Sequence, residues 1–184
     1  MAEVLLTSET FIKQVSSISD NIAGKYIRPA IREAQDVKFR AVVGDTLLAK
    51  LKELVDTGDI EELGYIDYRH LLDRAQYFIA YSAIIEIAQK VTFKVANAGV
   101  VKTADENMQV ADQPDLARMQ AYYQAKADSC CLDLQNYILN NWRDYPELTE
   151  GDYHRIRATL YSAATCGIFL GGARGKGPIK GGCR

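Results

Sequence analysis

Residues 67–95 read DYRHLLDRAQYFIAYSAIIEIAQKVTFKV, and this stretch decides the fold. Tyr68, Leu71, Leu72, Ala75, Phe78, Ile79, Ser82 and Ile85 recur at three- and four-residue steps, the period of one helix face. Tyr77, Tyr81, Ile84, Ala88 and Val91 form a second stripe. Apolar residues on two sides require a helix packed from two sides, so the spacing predicts a central helix from Asp67 to about Val95. Its most apolar window, Tyr77–Val91, is interrupted by Glu86, Gln89 and Lys90 and is too short to span a bilayer.

Working toward the N terminus, Thr7 or Ser8 can cap a short helix carrying Phe11, Ile12, Val15 and Ile18, which should stop near Ser19-Asp20. Gly24 then breaks the pattern, and Pro29 suits the first turn of a new helix. Ala30, Ile31, Ala34, Val37 and Ala41 continue it to Gly44. Asp45 or Thr46 opens the next helix, with Leu47, Leu48, Leu51, Leu54 and Val55 on one side and Thr57-Gly58-Asp59 closing it. These two helices are joined by almost nothing, so they must meet at an angle or run on through a kink.

Working toward the C terminus, the helical period disappears. β-branched residues cluster near Asn97–Gly99 and again after Glu106, which predicts a β-hairpin or extended arm over about 95–111. Asn97, Gly99, Val100, Val101, Met108 and Val110 are its candidate contact residues. A lone hairpin is marginal in water, so it should lean on the helices or on a neighbouring subunit. Asp112 as cap and Asp115 in the capping-box position restart helix. Leu116, Met119, Tyr123, Ala127, Cys130, Leu134 and Ile138 keep its period to Asn140-Asn141, and Met119 and the tyrosines read as core. After Pro146, Thr149-Glu150-Gly151-Asp152 could cap a further helix, yet Ile156, Ala158, Leu160 and Ser162 alternate as a strand would, so both readings stand.

Composition places the 184 residues among ordinary folded chains, with 48% hydrophobic and 25% charged residues. The break comes at the end. Residues 167–184 hold seven of the thirteen glycines, four bases (Arg174, Lys176, Lys180, Arg184) and no acid, whereas residues 1–166 carry eighteen bases against twenty-four acids. A segment of this kind cannot bury enough apolar surface to fold alone. The expected organisation is a helical domain over 1–166 and a docking tail over 167–184, with Gly171, Gly172, Arg174, Lys176, Lys180 and Arg184 as its contact residues. Glycines allow close backbone approach and arginines pair with carboxylates. The same bases could instead meet nucleic-acid phosphate, weakly and with salt sensitivity.

Catalytic patterns are missing. His70 and His154 belong to no metal-binding motif, and His70 reads as a solvated or partly packed imidazole. The run Gly171-Gly172-Ala173-Arg174-Gly175-Lys176-Gly177 fails as a phosphate loop. Gly177 stands where Ser or Thr would bind magnesium, and Pro178 follows where a helix should start. The pairs Glu61-Glu62 and Asp105-Glu106 read as solvated loop edges. Cys130, Cys131, Cys166 and Cys183 make neither a CxxC site nor a secreted framework, and they are expected to be reduced thiols. The opening MAEVLLTSETF, with Glu3 and no basic run, does not read as a signal peptide. No cofactor, metal or membrane is expected, and the chain is not expected to be an enzyme.

Three stretches resemble the head–tail connector (adaptor or ring) proteins of tailed bacteriophages, closest to those of crAss-like and other Bacteroides-type phages. They are Tyr26-Ile27-Arg28-Pro29-Ala30-Ile31-Arg32-Glu33-Ala34-Gln35 running into Val42–Leu51, Asn97-Ala98-Gly99-Val100-Val101, and Asp112–Asn141 with Tyr145-Pro146. The resemblance spans roughly 5–146. It implies a mainly α helical bundle with a β-hairpin arm and an extended Gly-rich basic tail. It also implies a non-enzymatic virion protein, made in the host bacterial cytoplasm, that sits at the portal vertex. Such proteins form a ring with copies of themselves, a dodecamer, below the portal protein. The ring receives the next tail or ring protein and passes packaged DNA without binding it specifically. The alternative from the residues alone is a small helical nucleic-acid-binding or adaptor protein that uses the basic tail.

Overall fold

The computed structural model describes residues 3–16, 22–96, 99–102 and 113–165, and the chain is mainly helical. The first helix, α1 (Glu9–Val15), starts where Ser8 Oγ accepts the Phe11 N–H at 3.0 Å. It stops before the expected Ser19-Asp20. Helix α2 (Gly24–Glu33) begins earlier than the sequence suggested, with Gly24 as its first residue. Pro29 therefore lies inside the helix, on its exposed side, rather than in the first turn.

The rod that starts with α2 continues through a π-helical segment, Ala34–Phe39, into α3 (Arg40–Val43). This overturns the stripe expected after Ala34. Val37 is 61% exposed and Ala41 is exposed, while Phe39, Val42 and Val43 are buried. Hydrogen bonds from i to i+5 widen the turn, so the buried face steps from Ala34 to Phe39 instead of to Val37 or Lys38. Gly44, at φ 88° and ψ 171°, then breaks the rod and lets α4 (Asp45–Thr57) leave in a new direction. Backbone in that region is essentially confined to glycine. Gly58, left-handed at φ 84°, ends α4.

Helix α5 (Ile66–Thr92) is the centre of the bundle and about 40 Å long at 1.5 Å per residue. All eight residues of its first expected stripe are buried. The second stripe is split: Ile84 is buried, Tyr81, Ala88 and Val91 are half-buried, and Tyr77 is exposed. At its end β1 (Phe93–Ala96) pairs antiparallel with β2 (Gly99–Lys102), Ala96 opposite Gly99 and Phe93 opposite Lys102. The described residues thus hold a ladder of four residue pairs, and positions 97, 98 and 103–111 of the arm expected over 95–111 lie outside them. Helix α6 (Gln113–Asn141) runs antiparallel along α5, as Tyr81 against Tyr123 and Arg74 against Tyr137 show. Of its expected core stripe, Tyr123, Ala127, Leu134 and Ile138 are buried, but Met119 is exposed.

The last helix, α7 (Glu150–Thr165), resolves the ambiguous stretch as helix. Its start is a reciprocal cap. Thr149 Oγ1 accepts the Asp152 N–H at 3.2 Å, and Asp152 Oδ2 accepts the Thr149 N–H at 3.1 Å. The Thr149 hydroxyl, which also donates to Asp152 Oδ2 at 2.7 Å, and then the Thr149 N–H hold the Asp152 carboxyl below its ordinary pKa. Arg155 donates to Ala41 O at 2.8 Å and to Val42 O at 3.4 Å, tying α7 to the end of α3. Unused carbonyls at a helix end are natural acceptors for such a cation.

Two further devices fix the bundle. The first is a strap of non-helical chain, Val4–Leu6, laid between the π-helical turn and α5. Buried Gln35 accepts the Leu6 N–H at 2.8 Å and donates to Val4 O at 3.2 Å, while Gln76 donates to Leu6 O at 3.2 Å. Leu6 of the strap is buried, and Leu5 is partly buried against the core. The second is a tyrosine lock at the start of α5. Tyr145, fully buried, donates to Asp67 O at 2.9 Å, and Tyr68 donates to the Glu147 carboxylate at 2.8 Å. The two rings meet edge-on, with centroids 5.3 Å apart.

Candidate interaction surface

The residues singled out in the sequence fall unevenly on this framework. Gly99, Val100 and Val101 lie in β2, opposite Ala96, Val95 and Lys94. Asn97, Met108 and Val110 lie outside the described residues, as do the tail positions Gly171, Gly172, Arg174, Lys176, Lys180 and Arg184. His70 is exposed near the start of α5. Cys130 and Cys131 are free thiols on α6. Burial pushes both thiols above their ordinary pKa, aided by Asp133 for the first and Asp128 for the second, so neither is primed as a nucleophile. Cys166 and Cys183 lie outside the described residues. Among the described residues no group of three or more His, Cys, Asp or Glu side chains is arranged to hold a metal ion, and no helix is long and apolar enough to cross a membrane.

The structure instead presents two surfaces. One is an aromatic seam along α5 and α6. Phe11 packs edge-on against Tyr77 at 5.1 Å, Tyr77 leads to Tyr81 at 6.5 Å, and Tyr81 to Tyr123 at 6.2 Å. Tyr122, 56% exposed, closes the row against Tyr123 at 5.2 Å. The Lys126 ammonium sits 4.6 Å from the Tyr122 ring and 5.1 Å from the Tyr81 ring, a cation over two π faces. Its pKa is raised, first by the Tyr122 hydroxyl. Beside the seam lies a shallow groove of about 410 Å³ lined by Asp73, Arg74, Tyr77, Ser129, Cys130 and Asp133. Arg74 spans it, with its guanidinium 4.1 Å from the Tyr137 ring and 3.6 Å from Asp133.

The other surface is the corner between α4 and α5. Two short 3-10 turns, Asp59–Glu61 and Leu63–Tyr65, carry the chain round it. Leu63 stands 90% exposed at the tip, with Ile66 exposed beside it. Space is open around Gly64, where an added Cβ would meet nothing within 4 Å. The base of the corner is anchored: Ile60 is buried, Arg69 pairs with Glu61 at 2.8 Å, and Lys50 lies 5.8 Å from the Tyr65 ring.

Sequence reasoning missed both surfaces, for one reason. Helical period tells which residues share a face, and it does not tell whether a neighbour covers that face. Tyr77, Met119 and Tyr122 share faces with true core residues but lie beyond the contact line of α5 and α6. Leu63 has no period at all, and an apolar side chain between Glu62 and Gly64 was the signal available.

Comparison with known proteins gives a family without an assigned activity. No curated protein and no solved structure matches the chain. The model of a family of unknown function, DUF6712, matches residues 39–158, from the last π-helical residue into α7. The chain belongs to that family, DUF6712.

Proposed function

We propose that the chain is a structural subunit of a tailed-phage head–tail connector, forming a ring below the portal that joins capsid to tail and extends the DNA channel. The observation that carries this reading is the pair of exposed apolar surfaces on different parts of one subunit. One is the Tyr77–Tyr122 seam and the other the Leu63–Ile66 corner. Ring contacts are heterologous, so each subunit must offer two unlike patches, one to each neighbour. The resemblance of 26–51 and 112–141 to connector proteins supports the same reading. Those stretches form the α2–α4 rod and turn and the long helix α6.

In this reading the segment beyond α5, including Gly99, Val100 and Val101, touches the neighbouring subunit, and the basic tail engages the portal or the next ring. The acid excess of residues 1–166 keeps packaged DNA sliding past the ring wall. The test is a pull-down of tagged full-length protein from phage-infected cells, with mass spectrometry of the eluate. Portal and tail-ring proteins are expected. Recovery of nucleic acid alone, released by salt and lost when 171–184 are deleted, would replace this reading with the nucleic-acid-binding alternative.

A further inference from the structure

We infer that the α4–α5 corner is the docking surface for the chain's own C-terminal segment, residues 167–184. From Glu53 to Tyr68 the chain carries Glu53, Asp56, Asp59, Glu61, Glu62 and Asp67 and no basic residue. Five of these six are exposed, and Asp59 is half-exposed. Local compensation is slight. Lys50 reaches Glu53 at 3.1 Å and Arg69 reaches Glu61, but Asp56, Glu62 and Asp67 form no ion pair among the described residues. In the middle of this acidic field Leu63 is 90% exposed and Ile66 45%. The corner therefore asks for a partner that is apolar at one point and cationic around it.

Residues 167–184 have that composition in that order. Ile168-Phe169-Leu170 supplies the apolar element, and Arg174, Lys176, Lys180 and Arg184 follow with no acid among them. Their glycines let backbone come close to a protruding side chain. Reach is sufficient. The described residues end at Thr165, and the nineteen that follow can extend about 60 Å at roughly 3.3 Å each. A domain of this size is only about 40 Å across. Tethering also decides which copy supplies the segment. Surface ion pairs are individually weak, and a tethered partner at an effective millimolar concentration fills such a site before a free copy does. The contact is therefore intramolecular in the isolated chain; in a ring the tail must leave the corner before the corner meets a neighbour and the tail meets the portal.

The test is amide NMR of the full-length protein at two concentrations. Replacing Arg174, Lys176, Lys180 and Arg184 together by Gln should move the amide signals of residues 59–67 and leave those of α6 in place. In the Glu61→Lys/Glu62→Lys protein, whose substituted residues are exposed, the tail-dependent shifts should fall about tenfold, from two reversed surface charges. Shifts absent from 59–67, or undiminished by the two lysines, would overturn the contact. Shifts that grow with protein concentration would assign it to a second copy and overturn the intramolecular form.

Discussion

Replacing Gln35 by Met tests whether the N-terminal strap is held by side-chain amides. Gln35 is 1% exposed, and it carries the Leu6 N–H bond at 2.8 Å, the bond to Val4 O at 3.2 Å and a bond to Asp36 Oδ1 at 3.2 Å. Methionine fills nearly the same volume, so no cavity enters the account. What changes is polar. The three lost bonds are worth about 0.5–1.5 kcal/mol each, and a buried Leu6 N–H left bare costs roughly 1–3 kcal/mol. The strap has an escape, however. Undocking forfeits the burial of Leu6, worth about 1.5–3 kcal/mol, and the Gln76 bond to Leu6 O. The net loss is therefore about 2–3 kcal/mol, and it takes the form of local release rather than global unfolding. A chain of this length loses about 2–4 °C of Tm per kcal/mol, so the melt should fall by no more than roughly 4–12 °C. Hydrogen exchange is the decisive assay, because the Leu6 amide should exchange far faster while amides of α5 keep their protection. A Leu6 amide as slow as in the parent protein would refute the reasoning, whatever the melt showed.

Two other outcomes follow from the geometry. Gly44→Ala forces a side chain into a backbone region with φ 88° and ψ 171°, so thermal denaturation should show a loss of about 1–3 kcal/mol, although the added Cβ would lie a tolerable 3.6 Å from Arg155. Tyr68 and Tyr145 both have their pKa raised above the ordinary 10.0, chiefly by burial, then by the Glu147 hydrogen bond for Tyr68 and the Tyr137 hydroxyl for Tyr145. The folded state therefore holds these protons more tightly than the unfolded one. Stability should be fully present below pH 10 and decline as pH rises beyond it, and the Tyr68→Phe/Tyr145→Phe protein should be weaker at pH 7 but flatter above pH 10 in denaturant titrations.

How much of this was legible depends on what each residue's neighbours are. The eight-residue stripe of α5 was readable because both faces of that helix are dictated by period. The π-helical turn was readable in principle: Ile27, Ala30, Ile31 and Ala34 keep helical steps, and the next apolar set, Phe39, Val42 and Val43, starts five residues on. Reading Val37 and Ala41 as the continuation assumed an unbroken α-helix. Residues 153–165 stayed open because Ile156, Ala158 and Leu160 fit either period, and Arg155 capping carbonyls more than a hundred residues earlier carries no local signature. For the candidate surfaces, the acidic run 53–67 was visible in the sequence, but the exposure of Leu63 and Tyr122 depends on where α4, α5 and α6 stop touching.

The strap also has a consequence for the order in which the molecule comes together. Val4–Leu6 leave the ribosome before their partners Gln35 and Gln76, the second of them seventy residues further on. Leu6 cannot be enclosed until the α2–α3 rod has packed on α5, so the strap is made before both of these elements and fixed after them. Contacts absent from the folding transition state leave the folding rate alone and slow unfolding instead. The two glutamines thus act as a latch, lengthening the lifetime of the folded chain without hastening its formation.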